Sequence, residues 1–302
     1  MIILEDLSPE KRKEYLEKDK PVQRLEDGFN YTYKSRYTNI YKIKNDTISH
    51  ITSENILDIH LIKQHPEFYE FDLTISYAKV LQGLEMLPKF YLELMDKLSE
   101  IKNHLICRIN ESGLAIDILN KNELKEKWIS IKNELINNDN LKNTFQEEDL
   151  KKIIDAGDLE YKGNMNTLIP DFNKNIVFMA FFLGLIDREK VSKRNFYSYI
   201  FPENSVSTGL TIENEEENDN LLTFSILGYN PSIDKSNFKK RYLSNFSFLH
   251  EPFQEYSFDF ISLYTIEKAT NRIENIRLTL DEKINESVST NIICEIQKVE
   301  NI

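Results

Sequence analysis

Asp58, His60, His65 and Glu67 form the one local concentration of metal-capable side chains in the chain. Strand alternation puts Asp58 with His60, but Pro66 breaks the strand before Glu67, so the four meet on an ion only through a tight turn. Metal sites demand several ligands in fixed geometry, and a solvated loop is the simpler reading. His104 and Cys107 offer a thiol and an imidazole. Three residues apart on a strand they face opposite sides, which leaves Cys107 as a small buried hydrophobe and not a nucleophile. Asp72 and Asp259 would pair for acid–base work if two β-rich halves were related by symmetry, yet each alternates with aromatic core residues and belongs on an outer face. The glycines form neither a dinucleotide fingerprint nor a phosphate loop, and the nucleophile-elbow and zinc-protease patterns are absent. The residues thus point to no cofactor, no metal and no catalytic group, and lean away from an enzyme.

Two surfaces suit binding instead. Tyr31, Tyr33, Tyr37 and Tyr41 share one side of an alternating segment, with Lys34, Arg36, Lys42 and Lys44 on the other. The tyrosines read either as ordinary core, which is favoured, or as the wall of an apolar pocket between a curved sheet and its helices. Glu213, Glu215, Glu216, Glu217 and Asp219 form an acidic run, read as a hairpin tip or disordered loop that is either solvated or docks a basic protein. A formal net charge of −12 disfavours nucleic acid, whose phosphates require clustered lysine and arginine.

The elements that must position these groups show in the periodicity. From Tyr256 to Val299 three strands alternate cleanly: Tyr256, Phe258, Phe260, Tyr264 and Ile266, then Ile276, Leu278 and Leu280, then Val288, Ile292, Cys294 and Ile296. Short polar links at Thr270–Arg272 and Asn285–Ser287 suit hairpins, so the even-numbered face is expected to be core in a meander. Earlier strands are expected from Phe29, at Thr47 to Ile51, at Ile56 to Lys63 and at Phe68 to Tyr77. A hairpin turns at Gly113, and strands return at Val206 to Glu213 and Leu221 to Tyr229. Helical spacing marks Tyr91 to Ile101, and capping-box spacing at Asn120 and Glu123 and at Thr144 and Glu147 opens two more helices, the second stopping at Gly157. Ile176 to Ile186 is wholly apolar but about half the roughly 20 residues of a membrane span, so a buried helix is expected.

The expected fold is α+β: curved antiparallel sheets, meander or half-barrel-like, packed against helices, with a helical segment between two β-rich parts. The parts are an N-terminal helical arm over 1–27, an α+β part over 28–157, a helical connection over 158–204 and a β-rich part over 205–302, with a shared core left open. Tyr69 to Leu73 echoes Tyr256 to Phe260, which raises a duplication as a hypothesis. Two cysteines make no disulfide framework, and the charged first twenty residues lack a secretory core. Abundant asparagine, isoleucine and lysine suggest a low-GC bacterium. The expected function is a non-enzymatic cytoplasmic protein, or one exported without a cleaved signal, that binds another protein as an adaptor, chaperone-like or immunity factor. The alternatives are a half-barrel carrier of a lipid or other apolar ligand, and a secreted effector or enzyme with an unrecognised site.

Overall fold

The computed structural model describes residues 25 and 28–299, apart from 45, 85–86, 138–146, 164, 166 and 185–192. The expected N-terminal arm and the charged segment after Asp187 fall almost wholly outside the described residues, as does Thr144.

Eleven strands form a single antiparallel sheet: β1 (Asn30–Ile43), β2 (Asp46–Gln64), β3 (Phe68–Gln82), β4 (His104–Asn110), β5 (Ala115–Ile118), β6 (Lys193–Tyr197), β7 (Ser205–Glu217), β8 (Leu221–Ser232), β9 (Tyr256–Glu267), β10 (Arg272–Ile284) and β11 (Val288–Lys298). Their order across the sheet is β5-β4-β3-β2-β1-β11-β10-β9-β8-β7-β6. Each half is therefore a meander, and the two join where β1 pairs with β11 from Tyr33↔Lys298 to Ile43↔Val288. The expected two β-rich parts share one sheet and one core. The first meander runs from the centre to an edge and the second from the opposite edge to the centre. A tandem repeat would keep one direction, so the topology gives the Tyr69/Tyr256 echo no support.

Sheet length departs from expectation in a consistent way. The strands expected at Thr47 to Ile51 and Ile56 to Lys63 are one strand, β2, and the segment expected to be a helical connection contains edge strand β6. Polar residues hid both, because Thr52 to Asn55 and Lys193 to Asn195 break the apolar alternation that marks a strand. In the C-terminal meander the even-numbered face is buried as expected. It also carries three polar residues, Ser262, Glu282 and Thr290.

Six α-helices are described: α1 (Lys89–Ser99), α2 (Lys121–Asn137), α3 (Glu147–Lys162), α4 (Leu168–Lys174), α5 (Ile176–Leu183) and α6 (Lys235–Asn245). All eight residues of α5 are buried, as an all-apolar helix demands. Asn175 starts it, accepting hydrogen bonds from the backbone N–H groups of Val177 and Phe178. The sheet curls around this helix. Phe181 meets Tyr33 of β1 edge-on at 5.0 Å, Phe182 meets Phe71 of β3 at 5.1 Å, and the Tyr264 hydroxyl of β9 donates to the Ala180 carbonyl at 2.8 Å.

The curl brings the two sheet edges near each other. Arg194 of β6, itself buried, donates through Nη1 to the carbonyl of Ser112 in the β4–β5 turn at 3.2 Å. Burial lowers its pKa to about 10. In the same turn Gly113 adopts φ +69°, and a Cβ there would press on the Phe182 carbonyl. Edge β5 is closed by Asn173 of α4, which accepts from the Ala115 N–H at 2.8 Å and donates to its carbonyl at 3.1 Å, as a neighbouring strand would.

Gly157 does not stop its helix, which continues to Lys162. It is there because the Trp128 indole packs against it, where a Cβ would collide with the ring. The same indole donates through Nε1 to Asp158 at 2.8 Å. Gly157→Ala would gain up to about 1 kcal/mol of helix propensity but overpack this contact, a penalty of about 1–3 kcal/mol. A lower urea midpoint is expected for Gly157→Ala; a raised midpoint would show that the indole yields freely.

Candidate functional site

The side chains weighed for chemistry in the sequence are not brought together among the described residues. Asp58 accepts from the Thr32 hydroxyl at 2.6 Å, His65 stacks on Phe68, and no metal-binding group of three or more His, Cys, Asp or Glu occurs among the described residues. Four strands separate Asp72 on β3 from Asp259 on β9. Cys107 is buried while His104 lies on the opposite face, and burial pushes the Cys107 thiol well up. His104 is instead held between two carboxylates, with Nε2 3.0 Å from Asp72 and Nδ1 2.9 Å from Glu123. Burial raises Glu123, but hydrogen bonds from Asn120, Lys127 and His104 outweigh it and bring the carboxyl down to about 2. Asn120, expected to cap the helix, bonds sideways to strand β4 at Ile106 N–H and the His104 carbonyl. This cluster ties α2 to the sheet.

One fully buried carboxylate lies on a face that strand parity assigned to the core, between Leu280 and Ile284. Glu282 is fully buried on the concave face. Its carboxylate accepts from the Ser198 hydroxyl at 2.5 Å, the backbone N–H groups of Tyr199 at 2.7 Å and Ile200 at 3.3 Å, and the Tyr256 hydroxyl at 3.1 Å. Burial nonetheless raises its pKa above the ordinary 4.5. All four donors belong to the fold, so Glu282 fastens the turn after β6 to β10.

The tyrosines on the concave face of β1 divide. Tyr33 is core, its phenol raised by burial. Tyr31 packs edge-on against Phe29 and lies under the Arg272 guanidinium, 5.1 Å from the ring centroid. Tyr41 is half-buried with its phenol pushed up to about 12, chiefly by burial. Tyr37 lines an opening, a cleft of about 250 Å³ bounded by Ser53, Asn55, Lys174, Asn175, Ile176, Val177 and Tyr199. The opening is amphipathic, lined by polar Ser53, Asn55 and Lys174 beside apolar Ile176 and Val177.

The cleft adjoins a part of the sheet that the helices leave uncovered. Strand β4 pairs with β3 from Phe68 to Thr74, after which β3 continues to Gln82 paired, among the described strands, with β2 alone. Tyr77, Val80 and Leu81 on this extension are 46, 42 and 40% exposed, and the nearby Leu87, Tyr91 and Met95 are also exposed. A second cleft of about 330 Å³ lies between Ala78–Gln82 and the α1 residues Leu92 and Asp96. The cross-strand pairs Ser53↔Val80 and Asn55↔Ala78 place lining residues of both clefts side by side. One open surface therefore runs from the start of α5, across the β2–β3 ribbon, to α1. Sequence periodicity marked Tyr77 as strand and Tyr91 and Met95 as helix, and ended the strand before Ala78, whereas β3 runs to Gln82. Their exposure was invisible because it depends on where β4 ends.

The acidic run lies on β7 and the turn beyond it. Glu213, Glu216, Glu217 and Asp219 are exposed, and Glu217 pairs with Lys268 at 2.5 Å; the side chain of Glu215 lies outside the described residues. No described helix is long and apolar enough to cross a membrane.

No protein-family model and no curated protein matches the chain. Among solved structures, a chain from a study of lipid–protein interactions in lipovitellin superposes with a TM-score of 0.39 and 8% identity, over 92% of this chain and 26% of that one. So remote a likeness carries no argument about activity, and this chain spans about a quarter of that chain's length. Function must be argued from the residues of this chain.

Proposed function

We propose that the protein is a non-catalytic binding protein that takes up an extended segment of a partner polypeptide by strand addition at β3. The observation that carries this is the stretch from Ser76 to Gln82, which among the described residues pairs with a strand on one side only and carries exposed Tyr77, Val80 and Leu81. A free edge offers a row of main-chain donors and acceptors that only another extended chain satisfies in register. The neighbouring cleft against α1 can receive alternate side chains of the added strand. Exposed apolar groups gathered at one place mark an interaction surface more often than isolated ones do. At the β5 edge Asn173 already takes the place of a neighbouring strand beside Ala115.

Panning a library of random dodecapeptides on the purified protein tests this. Enriched peptides are expected to slow amide hydrogen exchange over 76–82. They should lose about tenfold or more in affinity, about 1.4 kcal/mol, for the double substitution Tyr77→Lys and Leu81→Lys. Peptides that protect another region, or that bind the double variant equally well, would overturn the proposal. A basic partner docking on the acidic β7–β8 end is a second reading, favoured by the exposed Glu213, Glu216 and Asp219; its binding would weaken steeply with salt.

A further inference from the structure

The cleft at Tyr37 carries an inference from a different observation than the one behind strand addition. Among the described residues Lys174 is the only charged one in its lining, although the chain's formal net charge is −12. Its ammonium lies 4.5 Å from the centroid of the Tyr197 ring and meets no carboxylate among the described residues. On one side the cleft presents Ile176 and Val177, on the other the short polar side chains of Ser53 and Asn55. Burial raises the phenols of Tyr37 and Tyr199, so both remain neutral hydroxyls at ordinary pH. A neutral phenol can donate to an anion without repelling it.

We propose that this cleft binds an anionic amphiphile, with its carboxylate at Lys174 and the first part of its apolar chain along Ile176, Val177 and the Tyr37 ring. A cation with no carboxylate partner attracts an anion, and the apolar wall rejects a fully hydrated one. The cleft, about 250 Å³, is smaller than the roughly 300–1,000 Å³ of most small-molecule sites. It therefore holds a head group and a short stretch of chain, and the remainder lies over Ala78 and Val80, which pair across the strands with Asn55 and Ser53.

Three ten-carbon probes of matched length separate charge from chain: decanoate, decanol and decylamine, each titrated calorimetrically into the full chain below its micelle concentration. Decanoate is expected to bind at least about tenfold more tightly than the other two. Lys174→Gln should remove that advantage while leaving decanol binding unchanged, and Lys174→Arg should restore it. Lys174 is half-buried at the end of a short helix, and unchanged circular dichroism would confirm that the variants fold. Equal binding of all three probes, an unaltered decanoate affinity in Lys174→Gln, or no binding of decanoate would each overturn the proposal. Failure of these outcomes leaves the hydrogen-exchange test of peptide binding at β3 standing, whereas a bound chain lying over Ala78 and Val80 would compete with a peptide for that face.

Discussion

Glu282→Ala is expected to lower the unfolding free energy by about 3–5 kcal/mol, which a urea titration followed by circular dichroism would read directly. The substitution strands four donors at once: the hydroxyls of Ser198 and Tyr256 and the backbone N–H groups of Tyr199 and Ile200. Each buried donor left without an acceptor costs about 1–3 kcal/mol, moderated where the turn relaxes toward water. Glu282→Gln keeps one acceptor oxygen and is expected to lose less. The pH dependence has a definite sign. Burial raises the folded pKa above 4.5, so the folded protein binds this proton more tightly than the unfolded chain does. The contribution is fully present below about 4.5 and is lost as pH rises through the folded value. Wild-type stability should therefore contain a component that declines with rising pH, and Glu282→Gln should lack it. Parallel pH profiles for the two proteins would show that the four donors, and not burial, dominate.

Phe181→Ala is expected to cost about 3–5 kcal/mol, the range for deleting a fully buried aromatic ring. Phe181 is wholly inaccessible and packs edge-on against Tyr33 at 5.0 Å and against Phe182 at 5.3 Å. Its helix is the element that both meanders wrap, touching β1 and β3 on one side and β9 through Tyr264 on the other. The loss should therefore spread to both halves. Trp128, the only tryptophan, reports from the helices at the β5 side of the sheet. Its fluorescence and the far-ultraviolet circular dichroism should shift to lower urea together. A tryptophan transition that stays in place while circular dichroism moves would mean that the halves unfold separately.

These predictions rest on features of unequal visibility in the chain. The faces of β9, β10 and β11 were plain because a sheet with one dry side must alternate, and Phe258, Leu278 and Cys294 obey that rule. The buried helix at Ile176 was equally plain, since eight apolar residues in sequence have no polar face to show to water. Glu282 obeyed the same parity and went unseen, because a carboxylate on a core face contradicts composition until its four donors are known. Three of those donors come from the turn at Ser198 to Ile200, more than eighty residues away in sequence. Gly157 misled for a related reason: helix signals are local, whereas the ring that requires a glycine there belongs to another helix.

The sequence by itself determined most of the strands with their inward faces, though not β6 or the continuity of β2, together with the apolar helix and the absence of a recognisable catalytic motif, all of which follow from period and residue type over a few neighbours. Only the tertiary structure decided that two meanders make one sheet, that Tyr33 is core while Tyr37 borders a cleft, and that β3 outruns β4 to leave an open edge. Those outcomes depend on pairing between distant segments and on where one strand ends beside another. No local pattern encodes either, because the free energy that selects them is gained across the whole sheet.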